Sequence, residues 1–218
     1  MKAICLLSGG QDSTTTLFWA LSKFDEVHSL ILDYGQRHRI EIESAVKIAN
    51  LAKVPYKIVS IPFFSDLTIS SLIGEGDVNR NHSLNQNLPS SFVPGRNVVF
   101  ITAAAMYAHS IGSEDVCTGV CQTDYSGYPD CRDNTIQSLQ TTLRLAMDFN
   151  LNIHTPLMWM TKSETVQMAK SLEGCMEALS FSHTCYNGQY PPCGTCPSCK
   201  LRANGFFEAG INDPINNR

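Results

Sequence analysis

The apolar run from Ala3 to Leu7 stops at Ser8-Gly9-Gly10-Gln11-Asp12-Ser13, and helical spacing begins at once. This junction constrains the fold more than any other feature. A five- or six-residue apolar run is too short for a buried helix but suits a strand covered on both faces. Two glycines let the backbone reverse sharply. A strand that hands directly to a helix commits the chain to a parallel sheet, because the next parallel strand needs a crossover.

The rest of the sequence repeats that alternation. Residues 2–7 read as strand and 12–24 as helix, with Leu17, Ala20, Leu21 and Phe24 on one face. Residues 27–32 read as strand, 37–53 as helix and 56–61 as a third strand stopped by Pro62. From about 65 to 96 the periodicity fails in a stretch rich in Ser, Asn, Gly and Pro, which is read as a long loop, functional or mobile. A helix at about 97–111, a strand at 115–120, a polar loop at 121–131 and a helix at 133–149 follow. Thr161 and Glu164 have the spacing of a capping box, which predicts a helix over about 162–172. A cysteine-rich segment and a short helix near 200–209 close the chain. The expected fold is α/β, a Rossmann-like parallel sheet with helices on both faces. The expected division is an α/β domain over 1–175 and a C-terminal cysteine-rich segment over 176–218 packed on it.

The composition excludes several function classes. Hydrophobic residues make up 43% of the 218, enough for a core. Charged residues are 17%, below the roughly 25% of an average chain. The formal net charge is −4 with no basic run, which argues against a general nucleic-acid binder. No stretch approaches the 18 or so apolar residues of a membrane span, and the N-terminus has no targeting pattern. A cytoplasmic location without membrane contact is expected.

The hexapeptide at 8–13 reads as a phosphate loop. Backbone amides after paired glycines, and the start of the following helix, favour an anion. Ser8, Ser13 and Thr14 add hydroxyls. Neither a Walker A lysine nor the dinucleotide glycine spacing is present. The bland alternative is a tight turn capped by Asp12. The full hexapeptide resembles the signature of the PP-loop ATP pyrophosphatases. That resemblance implies that residues Leu7, Ser8, Gly9, Gly10, Gln11, Asp12, Ser13, Thr14, Thr15, Thr16 and Leu17 form the ATP-holding loop, with magnesium accompanying the nucleotide. It also implies that pyrophosphate leaves while AMP is transferred to a substrate oxygen.

Nine cysteines are present, and four of them, Cys185, Cys193, Cys196 and Cys199, follow the spacing C-x7-C-x2-C-x2-C. Four thiolates are the usual closed shell of a structural zinc ion. An iron–sulfur cluster and a redox C-x2-C pair are the alternatives.

Longer segments narrow the resemblance. These are Asp33-Tyr34-Gly35-Gln36-Arg37-His38, Phe92-Val93-Pro94-Gly95-Arg96-Asn97, the stretch from Gly119 to Arg132, Thr155-Pro156-Leu157 with Lys162, Thr184 to Gly188 and Leu201 to Gly205. Together they resemble the 7-cyano-7-deazaguanine synthase family over residues 3–207. The resemblance implies a ligase that joins 7-carboxy-7-deazaguanine, ammonia and two ATP, giving the nitrile, two AMP and two pyrophosphate, and a homodimer. Arg96 and Lys162 then become candidates for neutralising phosphate charge. Gln36, Arg37 and His38 follow the second strand, where an open parallel sheet meets its ligand. Asp124 and Asp130 are candidates to read a guanine-like edge, and Tyr125 and Tyr128 to stack on it. Ordinary turn chemistry and packing explain these four equally well. A tRNA sulfur transferase using the cysteine cluster is the competing reading, and a non-enzymatic zinc module a third.

Overall fold

The structure is a computed structural model and describes residues 1–123 and 127–217. Five strands form one parallel sheet: β1 (Lys2–Leu6), β2 (Glu26–Asp33), β3 (Tyr56–Ser60), β4 (Asp115–Cys117) and β5 (Asn152–His154). Their order is β3-β2-β1-β4-β5. Strand order therefore reverses between β1 and β4, and a ligand crevice is expected beyond the carboxyl ends there. β1 pairs with β2 from Lys2↔Glu26 to Leu6↔Leu30, and with β4 from Ala3↔Asp115 to Cys5↔Cys117.

The period-2 alternation of β1 divides the core. Ala3, Cys5 and Leu7 face one layer and Ile4 and Leu6 the other. The first layer holds α1 (Gln11–Leu21), α2 (Ile40–Leu51), α6 (Lys162–Ser171), α7 (Cys175–Ser180) and α8 (Pro197–Glu208). Its contacts include Leu17, Ile48, Val166, Leu179 and Phe206, so residues before and after 175 share one core. The second layer holds α4 (Arg96–Ser110) and α5 (Asp133–Met147), through Ile101, Ala105 and Ile136. α3 is a single turn, Phe64–Leu67.

The predicted elements are present with shifted ends. The strand expected at 115–120 is only Asp115–Cys117, because residues 118–120 turn toward the crevice. β5 and α7 had no counterpart in the sequence reading; three and six residues are too few to show a period. The capping box of α6 is formed: Glu164 N donates to Thr161 Oγ1 at 3.2 Å and Thr161 N to Glu164 Oε2 at 2.7 Å. The 65–96 stretch is irregular, with one isolated bridge, Asn81↔Pro89. It is nevertheless anchored: Leu72 packs with Tyr34, Phe64 and Val93, while Val78 packs on the cysteine cluster.

Candidate functional site

The carboxyl ends of β1, β2 and β4 open into a cavity of ≈ 270 Å³. The phosphate loop forms its floor. Gly9 has φ +83°, and a Cβ there would lie 2.3 Å from Glu41 O and 2.8 Å from Ala45 N. Only glycine lets α2 approach the loop this closely. Gly119 plays the same part on the other side, where a Cβ would come within 3.0 Å of Asp12 O and Ser13 N. Inside the loop, Ser8 Oγ donates to Ser13 Oγ at 3.0 Å, and His183 N donates to Gly9 O at 2.8 Å. α1 begins at Gly10 with no side-chain cap, in contrast to α6. Its first-turn amides are thus left to a ligand or solvent, and the positive end of α1 points at the cavity.

Gln11 carries a second sign of a missing ligand. Its side chain is 2% exposed and lines the cavity, yet neither Oε1 nor Nε2 has a hydrogen-bond partner. An unsatisfied buried amide costs about 1–3 kcal/mol per group, so an occupant that satisfied it would gain that stabilisation. Leu7, Ser8, Gly10, Gln11, Asp12 and Ser13 line the cavity. Thr14, Thr15, Thr16 and Leu17 do not; all four are fully buried in α1. Thr14 Oγ1 donates to Gly10 O at 2.8 Å and Thr15 Oγ1 to Gln11 O at 3.0 Å, so these hydroxyls are engaged with the helix backbone.

Lys162 and Arg96 approach from opposite sides. Lys162 is the first residue of α6; its Nζ lies 2.8 Å from both Asp12 carboxylate oxygens, and its stem lies on Gly205 of α8. Arg96 is the first residue of α4, facing the rings of Tyr34, Phe100 and Tyr128 at 5.6, 5.9 and 5.8 Å. Burial opposes its charge, but Tyr34, Tyr128, Asp130 and Tyr186 outweigh burial and raise its pKa. A guanidinium this firmly charged, and flanked by aromatic faces, suits a phosphate or a polar heterocycle.

The remaining candidates separate. Gln36 lines the cavity, with Oε1 accepting from Tyr34 N at 2.9 Å. Tyr128 lines it too, its hydroxyl 2.7 Å from Ser91 Oγ. Arg37 and His38 are outside the lining residues. Arg37 is exposed and reaches Gly76 O at 3.4 Å; the His38 ring covers Gly188, and its buried Nε2 has no partner. Asp130 is buried and accepts from Asn97 N at 3.0 Å, so it caps the start of α4. Asp124 and Tyr125 lie outside the described residues. Sequence reasoning missed Glu41, in the first turn of α2. Its signal was a carboxylate opening the helix after the second strand, at the sheet's ligand end.

The four cysteines form a separate centre. Their sulfurs lie within 4.8 Å of one another, and Cys193 Sγ is 3.9 Å from Cys199 Sγ. A tetrahedral ion with Zn–S bonds of about 2.3 Å needs sulfurs about 3.8 Å apart, so the set fits zinc. The amides of Cys193, Cys196 and Cys199 donate to Sγ of Cys185, Cys193 and Cys196, at 3.5, 3.3 and 3.5 Å. Such bonds stabilise thiolates. The Cys199 thiol and the amides of Cys199 and Tyr186 hold Cys196 well below the ordinary thiol range against the effect of burial. Zinc held by all four would be closed to further ligands and would act structurally. The same segment walls the cavity with Thr184, Tyr186, Ser198, Leu201 and Arg202. Arg202 is buried and bonded to Asp213 at 2.7 and 2.8 Å, to Ser182 Oγ at 2.7 Å and to Thr184 Oγ1 at 2.9 Å.

Comparison with known proteins agrees with this architecture. A 4-thiouridine synthetase, solved with RNA and bound ATP, superposes with a TM-score of 0.54 at 16% identity, covering 96% of this chain and 50% of that one. NMN synthetase from Francisella tularensis superposes with a TM-score of 0.55 at 14% identity, covering 97% and 77%. These likenesses concern the fold. Sequence relatives are much nearer. The 7-cyano-7-deazaguanine synthase of Chromobacterium violaceum is 52% identical, covering 98% of this chain and 92% of that protein. Those of Laribacter hongkongensis and Shouchella clausii are 50% and 48% identical, over 99% and 94% of this chain and 94% and 93% of theirs. The sequence profile described as queuosine biosynthesis protein QueC matches residues 2–210, and the chain belongs to that family.

Proposed function

We propose that this chain is an ATP-dependent ligase that converts 7-carboxy-7-deazaguanine and ammonia to 7-cyano-7-deazaguanine, as the name of its relatives implies. The observation that carries the reading is the uncapped start of α1 at the cavity, beside Lys162 and Arg96. A carboxylate is a poor electrophile because hydroxide leaves badly. Transfer of AMP to its oxygen supplies a better leaving group, and ammonia then gives the amide. A second transfer, to the amide oxygen, prepares loss of AMP and formation of the nitrile. One phosphate loop serves both activations.

In this reading the backbone amides of residues 9–13 hold the departing pyrophosphate. Lys162 and Arg96 offset charge that develops during transfer. Magnesium enters as the counter-ion of the triphosphate. Gln36 and Tyr128 border the deazapurine; Arg37, His38 and Asp130 support the surrounding walls. Zinc on Cys185, Cys193, Cys196 and Cys199 organises residues 176–218 as a wall on the 1–175 domain. Sulfur transfer to tRNA gains no support from Cys131, one of the two thiols among the described residues, with Cys121, that line the cavity. Burial, with Asp130 adding, pushes Cys131 up to about 12, so it stays protonated at neutral pH.

The test incubates zinc-loaded protein with ATP, magnesium, ammonium and 7-carboxy-7-deazaguanine, and detects the product by mass spectrometry. The nitrile is expected together with AMP and pyrophosphate. Folded, zinc-loaded protein that yields neither nitrile nor pyrophosphate overturns the reading.

A further inference from the structure

Among the described residues, five side chains of formal charge line the cavity: Asp12, Glu41, Arg96, Lys162 and Arg202. Lys162 is bonded to Asp12, and Arg202 to Asp213. Glu41 differs from Asp12, the other cavity carboxylate among the described residues, for its side chain has no hydrogen bond and no ion pair there. Its position is fixed by the backbone, because α2 rests on the phosphate loop at Gly9. Arg96 from α4, Tyr34 from the end of β2 and Tyr186 from the C-terminal segment all lie within its electrostatic reach.

Several other groups at the cavity are already engaged or protonated. Asp12 is engaged by a lysine, and the His183 ring is bonded to Cys185 O at 3.0 Å. Tyr34 is pushed up to about 12 by burial, and Tyr186 well above its ordinary value. Arginine and lysine carry protons already.

Resting on the ligase reading above, we propose that Glu41 is the catalytic residue that accepts the proton when the nitrile forms. The adenylated amide holds carbon doubly bonded to N–H and singly bonded to the oxygen of AMP. Glu41 Oε takes the proton from nitrogen. The N–H electron pair becomes the second π bond between carbon and nitrogen, and the C–O pair leaves with AMP. No oxidant and no further reactant is needed. Burial supports the role by raising the Glu41 pKa from 4.5 to about 7, against the pull of Arg96, which matches an acceptor working near neutral pH. Below about pH 7 the carboxyl is protonated and cannot accept, so the rate falls as pH drops.

The experiment feeds zinc-loaded enzyme with ATP and the deazaguanine carboxamide, which isolates the second half of the reaction. Glu41→Gln is expected to slow nitrile formation about 100-fold or more, and the acid limb near pH 7 disappears. The KM for ATP stays within about threefold, which separates proton transfer from nucleotide binding. Glu41→Asp recovers part of the rate, with its acid limb moved to another pH. Glu41→Gln that makes nitrile within about threefold of the unaltered rate overturns the proposal, and so does a loss appearing wholly as a raised KM for ATP. If Glu41→Gln fails to fold, the acid limb of Glu41→Asp decides: a shift supports the role and an unmoved limb refutes it. Unaltered enzyme that forms no nitrile ends the ligase reading itself, which is a different result.

Discussion

The two walls of the cavity are held in place by different means. The phosphate-loop wall grows from β1, at the centre of the sheet, and is fixed by close backbone approach: Gly9 against α2 and Gly119 against the start of α1. The opposite wall carries Thr184, Tyr186, Ser198, Leu201 and Arg202, on a segment with no strand and a run of turns around the four cysteines. Loop Val78 and the cysteines themselves form its small core. The first wall follows from folding the sheet. The second gathers four cysteine sulfurs within 4.8 Å of one another, a set that fits a metal ion. The comparison teaches that the two walls have different anchors, although α7 and α8 reach the core shared with α1 and α2.

Cys196→Ser should break the comparison most strongly. It removes a buried ligand that also caps α8, where Cys196 Sγ accepts from Cys199 N. We expect zinc content near zero, loss of about 5 kcal/mol or more of stability in the C-terminal segment and no nitrile formation. Far-ultraviolet circular dichroism should retain the α/β signal. An active, metal-free variant would show that the second wall needs no metal.

Gly9→Ala attacks the first wall instead. It forces a side chain into positive φ and against the Glu41 carbonyl, at a cost of about 2–4 kcal/mol. Denaturant unfolding should show this loss, and calorimetry should show ATP binding abolished with zinc retained. A variant that loses zinc as well would mean that the walls are not separable.

The smallest effect is expected where the walls meet. Gly205 of α8 receives the stem of Lys162, and a Cβ there would lie 2.3 Å from Lys162 Cγ. Gly205→Ala should cost about 1–2 kcal/mol and displace the ammonium from Asp12. A reduced kcat with a nearly constant KM for ATP is the expected kinetic signature. Unchanged kinetics would mean that the Lys162–Asp12 contact does not matter to the chemistry.

The phosphate loop and the cysteine set were legible because each is local. The loop's six residues are consecutive, and all four cysteines fall within fifteen residues. Strands β1 and β2 were legible because both faces are buried, which produces continuous apolar runs. Glu41 was not, because its surroundings include Arg96 and Tyr186, which lie far from it along the chain. Asp130 shows the reverse situation. Turn chemistry and base recognition weighed equally in the sequence, while in the structure its carboxylate accepts from the backbone of α4. β5 is a three-residue edge strand whose residues are all half-buried, so no apolar pattern marks it.

The central claim is that AMP activates first the substrate carboxylate and then the derived amide on one phosphate loop. Oxygen tracing tests it most directly. With both carboxylate oxygens of the deazapurine acid labelled as oxygen-18, the account predicts two AMP molecules per nitrile, each carrying one labelled oxygen on phosphorus, with unlabelled pyrophosphate. Label in inorganic phosphate, with ADP as the nucleotide product, would contradict it.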